Sequence, residues 1–260
     1  MKQRREDICG YRVGTSGVED TVAEVVDWIW SGDKRAECRW LACLNPHSYA
    51  ESLKDERFAA ALRRADWLVP DGAGIVLASR MLGGRIRERV TGSDIFKGVL
   101  DSLNEVGGYR VFFLGSTEQT LAEIRARMAR DYPRVEVAGT YSPPFKLEYT
   151  EQELDEMVEA INRAAPDVLW VGMTAPKQEK WIFGQQERLN VRFAAAIGAV
   201  FDFYTGRVKR PHPMFQRMGL EWLPRLVQQP RRLWRRMGVS APVFLAHVMR
   251  QKVVLQKRTS

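Results

Sequence analysis

The chain has 260 residues, 45% of them hydrophobic and 28% charged, which suits one globular core with room for a small appendage. No apolar run reaches the ~18 residues of a membrane-spanning helix, and no apolar segment follows Met1-Lys2-Gln3-Arg4-Arg5, so neither a span nor a secretory signal is expected. Three scattered cysteines (Cys9, Cys38, Cys43) and three histidines without ligand spacing argue against a disulfide framework or a zinc site and for a reducing, cytosolic setting; the net charge of +8 points to an anionic partner.

In chain order, short β-rich apolar runs alternate with helical stretches. Trp40-Leu41-Ala42-Cys43-Leu44 reads as a buried strand, after which Asn45-Pro46 forms an N-cap and first-turn proline opening a helix toward Arg64. Asp66-Trp67-Leu68-Val69 is a second strand, closed by Pro70-Asp71-Gly72-Ala73-Gly74. Thr91 or Ser93 caps a helix through Leu103. Strands at Tyr109–Leu114, Val135–Ala138, Asp167–Val171 and Arg192–Ile197 follow, with helices after Gly115-Ser116-Thr117 and from Pro176 through Gln186. This alternation predicts an α/β fold: a Rossmann-like parallel sheet covered by helices on both faces.

The last stretch differs in charge. From Arg207 onward there are 13 Lys or Arg against one acid, Glu221, so it carries +12 and residues 1–206 carry −4. We therefore place a boundary near Gly206, with a catalytic α/β domain at 1–206 and a basic helical appendage at 207–260. Basic residues interleaved with Phe215, Trp222, Trp234 and Phe244 suit an anionic membrane surface, where each contributes about 1 kcal/mol. Nucleic acid would answer the charge equally.

In parallel sheets ligands gather at the carboxyl ends of the strands. Small and polar residues collect at those ends here: Asn45, Asp71 with Gly72 and Gly74, Gly115-Ser116, Thr174 to Gln178, and Gly198 to Asp202. Asp71 reads in two ways, as a general base whose basicity is raised beside apolar strand residues, or as the cap of a helix starting near Gly74; spacing alone favours the cap. Arg85 to Arg89 is either a solvated charge run or a set of bidentate donors to a diphosphate. Gln178, in the first turn of a helix, is placed to bond a sugar or phosphate. GxGxxG and Walker patterns are absent, and so is any Asp-x-Asp that would hold a metal on a diphosphate.

Together these segments resemble the WecG/TagA/CpsF glycosyltransferase family from about Leu41 to Arg235. The resemblance rests on Pro70–Gly74, Glu88-Arg89-Val90-Thr91-Gly92-Ser93-Asp94, Phe113-Leu114-Gly115, Ser142-Pro143-Pro144-Phe145, Pro176-Lys177-Gln178-Glu179, Gly198–Asp202, Gly206–Pro211 and Gly219–Leu226, in this order and spacing. It implies an inverting, metal-independent transfer, without cofactor, from a UDP-sugar donor to a polyprenyl-diphosphate-linked sugar acceptor. The polymer made would be a surface polysaccharide, exopolysaccharide or cell-wall polymer. It further implies Asp71 as general base; Asn45, Cys43, Gly72, Gly74, Arg89, Gly115, Gln178 and Asp202 around the substrates; and Arg225, Arg231 and Arg232 on the diphosphate. The implied location is the cytoplasmic face of a bacterial plasma membrane, as a peripheral protein. Cys43 stands where many relatives carry Thr, which leaves the donor sugar open. A nucleic-acid-binding protein would account for the charge but not for the polar residues at the strand ends, so no nucleic-acid partner is expected. A silent scaffold is the third reading, disfavoured because Asp71, Arg89 and Gln178 are all present.

Overall fold

A computed structural model describes residues 4–31, 37–208 and 236–259. It begins with an antiparallel hairpin of β1 (Arg5–Ile8) and β2 (Tyr11–Gly14), which the sequence reading did not anticipate. Its two-residue turn, Cys9-Gly10, has positive φ at both positions (52° and 85°), the twist that two-residue hairpins favour. Helix α1 (Val18–Ser31) follows.

Six strands then build one all-parallel sheet: β3 (Arg39–Leu44), β4 (Trp67–Pro70), β5 (Tyr109–Gly115), β6 (Val135–Tyr141), β7 (Val168–Gly172) and β8 (Phe193–Ala196). Their spatial order is β4-β3-β8-β7-β5-β6. The period of two sorts their side chains into two cores. On one face lie Trp40, Ala42, Leu44, Leu68, Leu114, Val171 and Ala196. On the other lie Leu41, Val69, Val111, Phe113, Trp170 and Phe193.

The first core is covered by α2 (Pro46–Ser52), α3 (Glu56–Arg64), α4 (Ala73–Met81), α7 (Glu151–Ala164) and α8 (Lys177–Gln185), and by the C-terminal α10 (Ala241–Thr259) through Phe244 and Val248. The second is covered by α1, α5 (Gly92–Val106), α6 (Glu118–Asp131) and α9 (Val200–Thr205). Both faces are thus closed, as the alternation predicted. The helix expected from Asn45 to Arg64 is two helices instead. Asp55 accepts a bond from the backbone N–H of Phe58 (2.9 Å) and caps α3 afresh, which breaks the run after Ser52.

Strands β3 and β8 are neighbours, yet the helices that follow them, α2 and α9, lie on opposite faces. Divergence of this kind at adjacent strands marks the carboxyl ends of a parallel α/β sheet as the place where it takes a ligand. Gly206, at φ 80°, ends α9 at the position where the charge changes.

Candidate active site

The site starts with register. Leu44 of β3 lies opposite Pro70 of β4, so the next residues, Asn45 and Asp71, leave the sheet side by side. The backbone N–H of Asp71 donates to Leu44 O (2.8 Å), holding the two exits together. Asn45 is the N-cap of α2: its Oδ1 accepts from the N–H groups of His47 (3.0 Å) and Ser48 (2.9 Å), and Ser48 Oγ accepts from Asn45 N (2.8 Å). With its oxygen committed, Asn45 presents its amide nitrogen, and Nδ2 donates to Asp71 Oδ2 at 3.1 Å.

The N-cap of α4 falls on Gly72 (φ 99°), one residue past Asp71. Gly74 is a contact requirement: a Cβ there would lie 2.5 Å from Pro46 Cγ, so only glycine lets the first turns of α2 and α4 meet. The Arg89 segment is tied to the same strand end by Val90 N–H donating to Pro70 O (2.8 Å). Thr91, not Ser93, caps α5, in a reciprocal box with Asp94. Arg89 is half-buried just before that helix start.

Cys43, half-buried one strand position before Leu44, sits among these groups. Burial pushes its thiol well above the usual cysteine range, and the nearby charges of Asp71, Glu179 and Asp94 add to this against a backbone bond from Gly92. It stays a neutral thiol. Gly115 ends β5 against β7, where a Cβ would come 2.6 Å from Gly172 O, so it shapes the strand end.

Gln178 is less open than a helix-start reading suggests. It is buried, its Oε1 accepts from Gly198 N–H (2.9 Å), and its Nε2 donates to Glu179 Oε1 (3.0 Å). One amide N–H remains for a ligand. Glu179 is the group that sequence reasoning passed over. It is 3% exposed, its Oε2 has no hydrogen-bond partner among the described residues, and burial lifts its carboxyl to about 7. Its spacing of three from buried Ile182 was the available sign that it faces inward.

Cys43, Asn45, Asp71, Gly72, Gly74, Gln178 and Gly198 therefore gather around the ends of β3, β4 and β8. Asp202 lies farther along, on α9, where its charge acts on Arg207, itself paired with Glu123 at 2.8 Å. Arg225, Arg231 and Arg232 lie outside the described residues. No group of three or more metal-ligating side chains occurs among the described residues.

A second contact reaches this cluster from the C-terminal segment. Ser240, buried before α10, has its Oγ 3.0 Å from Nδ1 of His47, the residue whose N–H holds Asn45. Tyr49 of α2 also bonds His247 of α10. Helix α2 is thus gripped by α10 at one side and offers Asn45 to Asp71 at its start.

A parallel sheet closed on both faces, with a carboxylate and amides gathered at the ends of β3, β4 and β8, belongs to the class of α/β folds that take ligands at their strand ends. The sequence matches the glycosyl transferase WecG/TagA/CpsF family over residues 6–258. The chain belongs to that family and is a glycosyltransferase. It is 33% identical over 213 residues to the N-acetylglucosaminyldiphosphoundecaprenol N-acetyl-beta-D-mannosaminyltransferase of Bacillus spizizenii strain W23, covering 82% of this chain and 79% of that protein. The identically named proteins of Bacillus subtilis strain 168 and Staphylococcus aureus strain MW2 are 29% and 24% identical, over 82% and 84% of this chain and 79% and 82% of theirs.

Proposed function

We propose that the protein moves a sugar from a UDP-sugar to a polyprenyl-diphosphate-linked sugar by a single, inverting displacement, with Asp71 as general base. The observation that carries this reading is the Asn45 Nδ2–Asp71 Oδ2 hydrogen bond at the strand ends. Asn45, locked by its cap, orients the Asp71 carboxylate at the strand end, where we place the acceptor hydroxyl. In the step itself the acceptor oxygen forms a bond to the anomeric carbon while that carbon's bond to the UDP phosphate oxygen breaks. Asp71 takes the hydroxyl proton, and UDP leaves with the electron pair. Attack opposite the leaving group inverts the anomeric centre. Arg89 and the first-turn amides of α5 and α8 are the groups we assign to the diphosphate.

The acceptor class is supported by the names of the relatives, which act on an undecaprenyl-diphosphate-linked N-acetylglucosamine and transfer N-acetylmannosamine. We carry over the lipid-linked acceptor and a role in cell-surface polymer synthesis, with N-acetylmannosamine as the first donor to test. Residues 207–260 are proposed as a membrane-docking appendage whose Arg225, Arg231 and Arg232 meet the acceptor diphosphate. No described helix is long and apolar enough to cross a membrane. Helix α10 does bury Phe244 and Val248 while exposing Leu245, Met249 and Val253, a stripe at spacing four, beside Arg250 and Lys257. That pattern suits an interfacial helix on anionic lipid.

The test is a screen of UDP-sugars against a polyprenyl-diphosphate-linked N-acetylglucosamine acceptor on anionic vesicles, with EDTA present. Transfer from one donor with a change of anomeric configuration is expected, at the same rate without the chelator. A strict requirement for magnesium or manganese overturns the metal-independent reading, and retention of configuration overturns the single displacement. Asn45→Ala is expected to lower kcat roughly tenfold by releasing Asp71 and to cost about 1 kcal/mol of stability through the lost cap. Transfer rates and urea midpoints check both effects.

A further inference from the structure

We propose that Glu179 is a positioning residue for the transfer reaction, acting through Gln178 on the carboxyl end of β8 and through its own charge on the bound nucleotide. The proposal rests on the reading of these strand ends as a UDP-sugar site.

Geometry makes the first half of the case. Gln178 and Glu179 are 4% and 3% exposed, so neither side chain has water as an alternative partner. Gln178 Oε1 is held by Gly198 N–H and Nε2 is held by Glu179 Oε1. A flipped amide would set N–H against N–H at Gly198 and oxygen against oxygen at Glu179. Gly198 and Glu179 together therefore fix which way the one remaining amide N–H points.

The second half concerns charge. Glu179 Oε2 has no partner among the described residues, and a buried carboxylate with an unsatisfied oxygen is far costlier than a neutral acid. Burial accordingly raises the group to about 7, against smaller opposing bonds from Gln178 and its own backbone N–H. The charges of Asp71 from the β4 end, Glu179 from α8 and Asp94 from α5 all act on the Cys43 thiol of β3. The adjacent cation, Lys180, is committed to Asp55 of the α3 cap at 2.7 Å. Ionising Glu179 thus adds a negative charge beside Cys43, in the site we assign to the nucleotide, and opposes its diphosphate.

The experiment is UDP affinity by calorimetry from pH 6 to 8.5 for the full chain, Glu179→Gln and Glu179→Met. Glu179→Gln keeps an acceptor for Gln178 and cannot ionise. The wild-type to Glu179→Gln ratio of Kd is expected near 1 at pH 6 and roughly three- to tenfold at pH 8.5. Taking the ratio cancels the titration of the terminal phosphate of UDP. Glu179→Met is expected to lack the same pH dependence but to bind more weakly throughout and lose kcat on the order of tenfold to a hundredfold, because Gln178 loses its partner. A ratio that stays flat with pH for both variants overturns the charge role. Full kcat in Glu179→Met overturns the positioning role. Asp71→Asn, run alongside, separates the two readings: if it is inactive while the Glu179 ratios are flat, this inference fails and the base assignment stands. Failure of all four proteins to bind UDP overturns the donor reading and this inference with it.

Discussion

Asp71→Asn lowers kcat by about 10²- to 10⁴-fold, the contribution of a positioned general base, and leaves UDP affinity within a few-fold of wild type. The substitution isolates the proton step. An asparagine at 71 still offers an oxygen to Asn45 Nδ2, and the backbone bond from residue 71 to Leu44 O is untouched. The two strand exits, the cap of α2 and the contact of Gly74 with Pro46 all survive. What disappears is the site for the acceptor proton. Single-turnover transfer with saturating donor, compared with UDP binding by calorimetry, reads the two quantities separately. Turnover within a few-fold of wild type would remove Asp71 from the role of base. A parallel collapse of UDP binding would instead make Asp71 part of the nucleotide site.

Replacing Glu179 by glutamine stabilises the fold at pH 8.5 by about 3 kcal/mol and leaves stability near pH 4.5 unchanged. The carboxyl has an ordinary value of 4.5 and rises to about 7 in the folded protein, chiefly by desolvation. Between those values the folded state holds a proton that the unfolded chain has released. Stability from this group is therefore fully present below about 4.5 and is lost as pH rises through about 7. At about 1.4 kcal/mol for each unit of displacement, the loss amounts to about 3 kcal/mol. Glutamine carries no proton to lose, so that descent is absent from the variant. Urea unfolding of both proteins at pH 5 and pH 8.5 measures it, the difference growing with pH. A constant difference across that range contradicts the buried, neutral glutamic acid.

Much of the architecture was legible in the chain. The sheet strands were each placed within a few residues, because both faces of a parallel sheet are covered and its strands read as continuous apolar runs. The N-terminal hairpin was not, since four-residue strands around Cys9-Gly10 lack the Asn-Gly or Asp-Gly turn that marks a hairpin. The break between α2 and α3 was missed because Asp55 competes as a cap only once the chain turns after Ser52.

The candidate site was legible in part. Asp71 could be named from its strand-end position, but that the N-cap of α4 falls on Gly72 and that Asn45, 26 residues earlier, is its partner appear only in the fold. Gln178 looked like an exposed helix-start donor. Its oxygen is held by Gly198, twenty residues later, and its nitrogen by a neighbour whose burial no local pattern reports.

Sequence by itself determined the apolar strands, the polar residues at their ends, the family motifs and the concentration of positive charge after Gly206, because these depend on residue type and short-range spacing alone. Only the tertiary structure decided which strand ends lie together beside β3 and β8, that the C-terminal segment grips α2 through Ser240 and His247, and that Glu179 is a buried acid. Those outcomes follow from desolvation and hydrogen-bond partnership between residues far apart in the chain, and neither exists until the sheet has closed.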